Sequence, residues 1–183
     1  MTKKTLEKTI MAGLCAAIIF IGISLFRINL PAVVGKPFIH FGNTFAVVGT
    51  LILGGRYGSG AAMIGLGLFD ILNGYAATAW LTIIEALVLC LVVAGVFRVV
   101  QYRPGQIKKL YLVSAAAGLI KLVTSWMTGI VESMMVGTNF FVAAVNSFLS
   151  LPATAINSVA TFILVPIVYI ALEKTILRRV HLN

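Results

Sequence analysis

Two charged residues sit where an apolar sequence tolerates them least. Glu85 lies 12 residues before Phe97, and Lys121 lies 12 residues after Lys109. At ~1.5 Å of rise per residue, both fall roughly 18 Å from the same end of their helical stretches. A charge at bilayer depth costs about 2.5–3.5 kcal/mol on insertion scales, so each requires a reason. At one depth on adjacent antiparallel helices, the two can pair and offset much of that cost. Such a pair either locks two helices together or lines a polar pocket and meets a substrate. Asp70 and Glu132 are also charged, but they fall near helix ends, where the headgroup region accepts them.

Neutral polar groups gather at the same level. Asn157 precedes Glu173 by 16 residues, roughly 24 Å of helix. Ser125 and Trp126 follow Lys121 closely, Trp80 opens its helical stretch, Asn146 precedes Pro152, and His40, Asn43 and Thr44 open another. Aromatic faces, amides and one or two charges can hold a small, flat, polar heterocycle. Blander roles exist for some: Trp80 as an interfacial belt residue, Asn146 as a helix cap, His40 as an interfacial histidine. There is no HExxH, GxSxG or Walker A motif, and the only two histidines are His40 and His181. No catalytic or metal-binding set and no cofactor in this chain are expected, and without a nucleotide-binding motif the chain is not expected to hydrolyse ATP itself. Cys15 and Cys90 read as small core residues.

The elements that position these groups follow from composition. The chain has 183 residues, 60% apolar and 10% charged, with a net charge of +9 and a mean hydropathy of +1.06. Ordinary soluble domains carry about 25% charge, and disorder requires low hydrophobicity, so lipid is the solvent. The pattern predicts an all-α integral membrane bundle of six helices in one domain, residues 1–183. The spans are expected at about 6–26, 38–53, 59–72, 79–100, 109–131 and 153–172. Gly54-Gly55-Arg56-Tyr57-Gly58 reads as a tight turn and Pro152 as the divider between a short entry segment and the last span. With both termini in the cytoplasm, 11 of the 14 basic residues lie inside, Arg27 and Lys36 outside, and Lys121 within a span. That asymmetry follows the positive-inside rule and explains the charge without nucleic acid. The basic start reads as a retained span rather than a cleaved signal. The first span carries Ala12, Gly13 and Ala16, small residues suited to close packing inside the bundle or to docking a partner membrane protein.

Three stretches carry a family resemblance: Ile39-His40-Phe41-Gly42-Asn43, Leu51-Ile52-Leu53-Gly54-Gly55-Arg56-Tyr57-Gly58 and Asp70-Ile71-Leu72-Asn73-Gly74-Tyr75. Together they resemble the S components of energy-coupling factor (ECF) vitamin transporters, and the resemblance extends over the whole chain. It implies a substrate-specific subunit that binds a vitamin or precursor at its outer face. The subunit then topples on docking to a transmembrane coupling protein and two cytoplasmic ATPases. Ala12 and Ala16 match the family's AxxxA docking motif. The family pocket, built from the last three spans and outer loops, implies Glu85, Lys121, Trp126, Asn146 and Asn157 as substrate contacts, with His40, Asn43 and Trp80 near them. Glu85 departs from the family, where many relatives carry lysine. The chain looks most like the branch for hydroxymethylpyrimidine or pyridoxine. Riboflavin and pantothenate stay open, while few basic groups in the membrane argue against polyanions such as folate. A scaffold or small channel subunit without ligand is the reading from another class; a membrane enzyme ranks third.

Overall fold

The structure, a computed structural model, describes residues 3–29 and 38–174. Six helices and one short strand pair make up those residues: α1 Lys3–Leu25, β1 Ile28–Asn29, β2 Phe38–Ile39, α2 Gly42–Leu72, α3 Ala79–Val100, α4 Ile107–Met135, α5 Phe140–Leu149 and α6 Leu151–Leu172. Four of them (α1, α3, α4 and α6) are long and apolar enough to cross a membrane.

α2 departs most from the expectation of two helices around a five-residue turn. Only Gly54 leaves helical geometry, with φ 78° and ψ 168°, a region essentially restricted to glycine. Residues 55–58 are already helical. The break is a full reversal. A Cβ on Gly58 would run into Thr50 Cα, and a Cβ on Gly42 would meet Leu66 Cδ2 at 3.0 Å; both pairs centre on position 54. α2 is therefore a hairpin of two short arms. Its glycines let neighbouring helices come close: Gly49 faces the Cys15 sulfur, Gly65 the Ala16 carbonyl and Gly67 the Ile83 side chain. Small residues at such contacts drive helix association where no hydrophobic effect separates helix from lipid.

Phe38 and Ile39 do not begin a helix, as had been expected from their apolarity. They pair antiparallel with Asn29 and Ile28, which satisfies backbone groups that a membrane would otherwise leave unpaired. The remaining boundaries shift by a few residues. α4 runs to Met135, beyond the expected 131. The entry segment ahead of Pro152 is α5, started by Asn139, whose side chain accepts from Val142 N at 3.1 Å. α6 begins at Leu151 with Pro152 in its first turn, where its missing N–H costs nothing. Of the charges expected outside, Lys36 lies beyond the described residues, as do Pro31 and Pro37 of the same loop, and Arg178, Arg179 and His181 at the other extreme.

The helices run antiparallel, so one end of the bundle gathers β1–β2, the two tips of α2, the start of α3, the end of α4, α5 and the start of α6. This is the strand end; the opposite one, around Arg103, is the Arg103 end. Toward the latter the interior is filled by Val93, Leu110, Val113, Val165 and Tyr169, each 0–5% exposed, with Phe97, Tyr102 and Tyr169 in mutual ring contact.

The hairpin gives a paired prediction. Gly58→Ala should lower the unfolding midpoint in detergent, by about 1–3 kcal/mol as an overpacking change against fixed backbone. Gly60→Ala, which adds its methyl into open space, should be neutral or slightly stabilising. Equal effects at both positions would remove the hairpin contact as the cause.

Candidate functional site

Below the strand end lies a cavity of about 300 Å³, walled by β2 and by residues of all six helices. Its centre is the ion pair anticipated from depth. Lys121 Nζ lies 2.6 Å from Glu85 Oε2. The other oxygen, Oε1, accepts from Thr124 Oγ1 at 2.8 Å and from Ser125 Oγ at 2.7 Å. Thr124 and Ser125 follow Lys121 by three and four residues, one helical turn, so a single face of α4 supplies all three donors. Glu85 is buried at 7% exposure, and every oxygen it has is occupied. Its charge is thereby neutralised within the cavity wall. Lys121, with only one of its donors on Glu85, still has N–H groups to offer.

A second group of contacts holds β2 over the cavity. The Asn157 amide acts as an extra strand partner: its Oδ1 accepts from His40 N at 3.0 Å and its Nδ2 donates to Phe38 O at 3.0 Å. Thr44 and Thr161 hydroxyls meet at 3.1 Å just below, and Phe38 packs against Phe69 and Tyr75 with its ring tilted to both. Arg27 lies over the rings of Phe38 and Phe69, 5.6 and 5.7 Å from their centroids. His40 Nδ1 accepts from Gly42 N at 3.1 Å, which leaves Nε2 as the proton-bearing donor. Enclosure of the imidazole, helped by the Lys121 ammonium, lowers its pKa from 6.5 to about 3.

Of the residues expected at the site, Glu85, Lys121, His40, Asn43 and Asn146 line this cavity. Asn157 stands behind β2 and positions it; it also borders, with Asn43 and Lys121, a second void of about 10 Å³, room for at most one water. Trp80 and Trp126 are not brought into the cavity. Both are exposed, at 46% and 38%, and the Trp126 indole donates to Ala144 O at 3.1 Å, bracing α4 against α5. Asp70 and Glu132, assigned to the headgroup region by position, line the cavity mouth together with Tyr75, Thr78 and Thr82. The signal for them was available: both acids lie at the same end as Asn146 and His40. Among the described residues no group of three or more His, Cys, Asp or Glu could hold a metal.

The small residues of α1 divide between two faces. Ala16 is buried at 6% exposure, with Ala12 packed against the same core cluster. Gly13 is exposed, with nothing near its missing Cβ, and lies beside exposed Ile10, Leu14 and Ile18.

An all-helical bundle with a polar cavity at one end is a fold that many functions share, so the match to a family model is decisive. Residues 3–174 match the model of the ECF-type riboflavin transporter S component. The chain belongs to this family. It is an S component, a membrane-integral subunit of a vitamin transporter. No curated protein and no solved structure matches the S component closely enough to add a second comparison.

Two predictions follow from the geometry of this S component. Breaking the ion pair by Lys121→Met leaves Glu85 buried without its counter-charge and should cost about 3–5 kcal/mol. Glu85→Gln combined with Lys121→Met should cost clearly less than the sum of the single changes, because the unpaired charge is gone. Additive single and double effects, measured by unfolding in detergent, would contradict the coupling. The second concerns pH. Because the fold holds His40 neutral while the unfolded chain protonates it near 6.5, the unfolded state binds more protons between about pH 3 and 6.5. His40 therefore subtracts stability as pH falls through that window. His40→Gln should make the decline from pH 7 to pH 4 shallower; an identical slope in the variant would exclude this role.

Proposed function

We propose that this S component is the substrate-specific subunit of an ECF-type ABC importer and that riboflavin is its ligand. The observation that carries the reading is the coincidence of two things: a family match over nearly the whole chain and an enclosed polar cavity at one end of the bundle. The family description names riboflavin, which moves that vitamin ahead of hydroxymethylpyrimidine and pyridoxine, the compounds first favoured on resemblance. The aromatic faces of Phe38, Tyr75 and His40 at the cavity wall suit a planar ring. A volume of about 300 Å³ lies within the range of small-molecule pockets.

In the proposed arrangement the two arms of α2 and the helices α1, α3, α4 and α6 make six membrane spans with both termini in the cytoplasm. Support comes from charge: Lys4, Arg56, Arg98, Arg103, Lys108 and Lys109 all belong to the Arg103 end, which is then the inner one. The cavity faces outward. Passage inward depends on docking to a transmembrane coupling protein whose two cytoplasmic ATPases use ATP, and on toppling of the S component in the bilayer. The exposed face of α1 around Gly13, Leu14 and Ile18 is the face offered to that partner. Ala12 and Ala16, turned toward the core, act by letting α2 approach closely.

The test is equilibrium binding by the purified full-length protein in detergent, with riboflavin, pyridoxine and hydroxymethylpyrimidine as separate probes. Saturable riboflavin binding, with weaker or no binding of the other two, is the expected result. Tight binding of pyridoxine or hydroxymethylpyrimidine with none of riboflavin would reassign the substrate. Recovery of a coupling protein and two ATPases in mild detergent should be weakened by Gly13→Trp, a change on an open surface that leaves the core intact.

A further inference from the structure

The cavity is graded in charge along its depth. At its floor Glu85 and Lys121 cancel, and both oxygens of Glu85 are already occupied. What the floor has left to offer is donors. Lys121 keeps N–H groups free of Glu85. Asn43, only 4% exposed, lines the wall, and its Nδ2 has no hydrogen-bond partner; it is the one such buried side-chain atom among the described residues. A buried amide N–H left unpaired is costly, and a ligand acceptor placed against it relieves that cost.

The mouth differs in kind. Asp70 lies near the end of the second arm of α2, one turn beyond the level at which Leu66 faces Gly42. Glu132 lies seven residues beyond Ser125 on α4, roughly 10 Å further toward the strand end than the ion pair. Both carboxyl groups line the cavity, with Thr82 and Thr78 beside them. Among the described residues that line the cavity, three carboxyl groups (Asp70, Glu85 and Glu132) face one ammonium, Lys121, whose charge is matched by Glu85. The acid excess therefore sits wholly at the mouth.

We propose that the cavity takes an uncharged or cationic ligand in one direction, with an acceptor-bearing ring edge toward Asn43 and Lys121 and a hydrogen-bond-donating arm between Asp70 and Glu132. We further infer that this acidic mouth rejects the phosphorylated or carboxylated forms of the same compound. A hydroxyl or amine arm donates to the two carboxylates. A phosphate at the same place offers mainly acceptors, and like charge. The inference rests on the vitamin-binding reading and adds to it the class of ligand admitted and the residues that set the limit.

The experiment compares riboflavin with riboflavin 5′-phosphate, and pyridoxine with pyridoxine 5′-phosphate, on the full-length protein in lipid nanodiscs. The wild type should bind the unphosphorylated member of at least one pair on the order of 30-fold more tightly, as expected for a like-charge barrier. Glu132→Gln should shrink that ratio several-fold, and Asp70→Asn with Glu132→Gln should bring it toward unity. Glu132 is exposed, so the single variant keeps the test alive where the double variant does not fold. Asn43→Ala should weaken both members of a pair alike and leave the ratio as in the wild type. A wild-type ratio near unity, or a ratio that neither acidic substitution changes, overturns the role of the mouth while leaving vitamin binding intact. Unchanged affinity in Asn43→Ala overturns the proposed direction of the ligand. Failure of both unphosphorylated compounds to bind overturns the vitamin reading and this inference with it.

Discussion

One carboxylate organises the centre of this protein. In lipid a buried charge must find its partners within the chain, and Glu85 finds three on a single turn of α4. That arrangement fixes the register of α3 against α4, since sliding either helix by one turn would strand a charge. It also leaves a polar space just above, because the side chains that reach Glu85 cannot at the same time fill the volume between the helices with hydrocarbon. The cavity and the helix lock are thus one feature. The two readings of the pair, structural tie or substrate wall, are not alternatives in this geometry: a saturated Glu85 ties the helices, and Lys121, with donors left over, faces the space.

Around that centre the fold depends on how closely backbones can approach. α2 reverses at Gly54 and packs its two arms at Gly58 and Gly42, so arms of 12 and 18 residues lie side by side within one element. Short arms are poor membrane helices alone and become tenable when α1 covers one side through Gly49 and Gly65. The same close packing places Asn43 and Asp70 on one hairpin near one end. The cavity thereby gains an amide donor and a carboxylate from a single element.

Much of this was legible in the sequence. Depth counting put Glu85 and Lys121 together because helical rise is constant. Proline and glycine marked the breaks at Gly54 and Pro152. What the sequence hid depended on rotation about a helix axis, which linear position does not report. Ala16 and Gly13 are three residues apart on one helix, yet one is buried and the other open. Trp126 is one residue from Ser125, yet Ser125 faces Glu85 and Trp126 turns outward to Ala144. Asp70 and Glu132 show a related limit: a helix end at the headgroup level can also border the mouth of a pocket, and only the packing of the neighbouring helices shows it. Phe38 and Ile39 illustrate a further limit. Their apolarity suited a helix, but the strand pairing with Ile28 and Asn29 is a long-range choice fixed by the Asn157 amide across the bundle.

The two ends of the bundle impose opposite demands, and transport must reconcile them. The strand end is built from hydrogen bonds, with backbone, amide and hydroxyl groups holding β2 over a polar space. Toward the Arg103 end, the interior below Leu89 is closely packed hydrocarbon, sealed by the rings of Phe97, Tyr102 and Tyr169, with the Tyr102 hydroxyl donating to Glu173 at 2.9 Å. A polar ligand held in the cavity cannot slip through such a core, because dense packing leaves no path and each polar group would lose its partners on the way. Opening the core would mean separating side chains that are 0–5% exposed, which costs the very contacts that hold the helices together. Releasing β2 breaks a few hydrogen bonds and leaves the core whole. The lower-cost route for a ligand is to leave by the end through which it entered, which fits the proposed toppling.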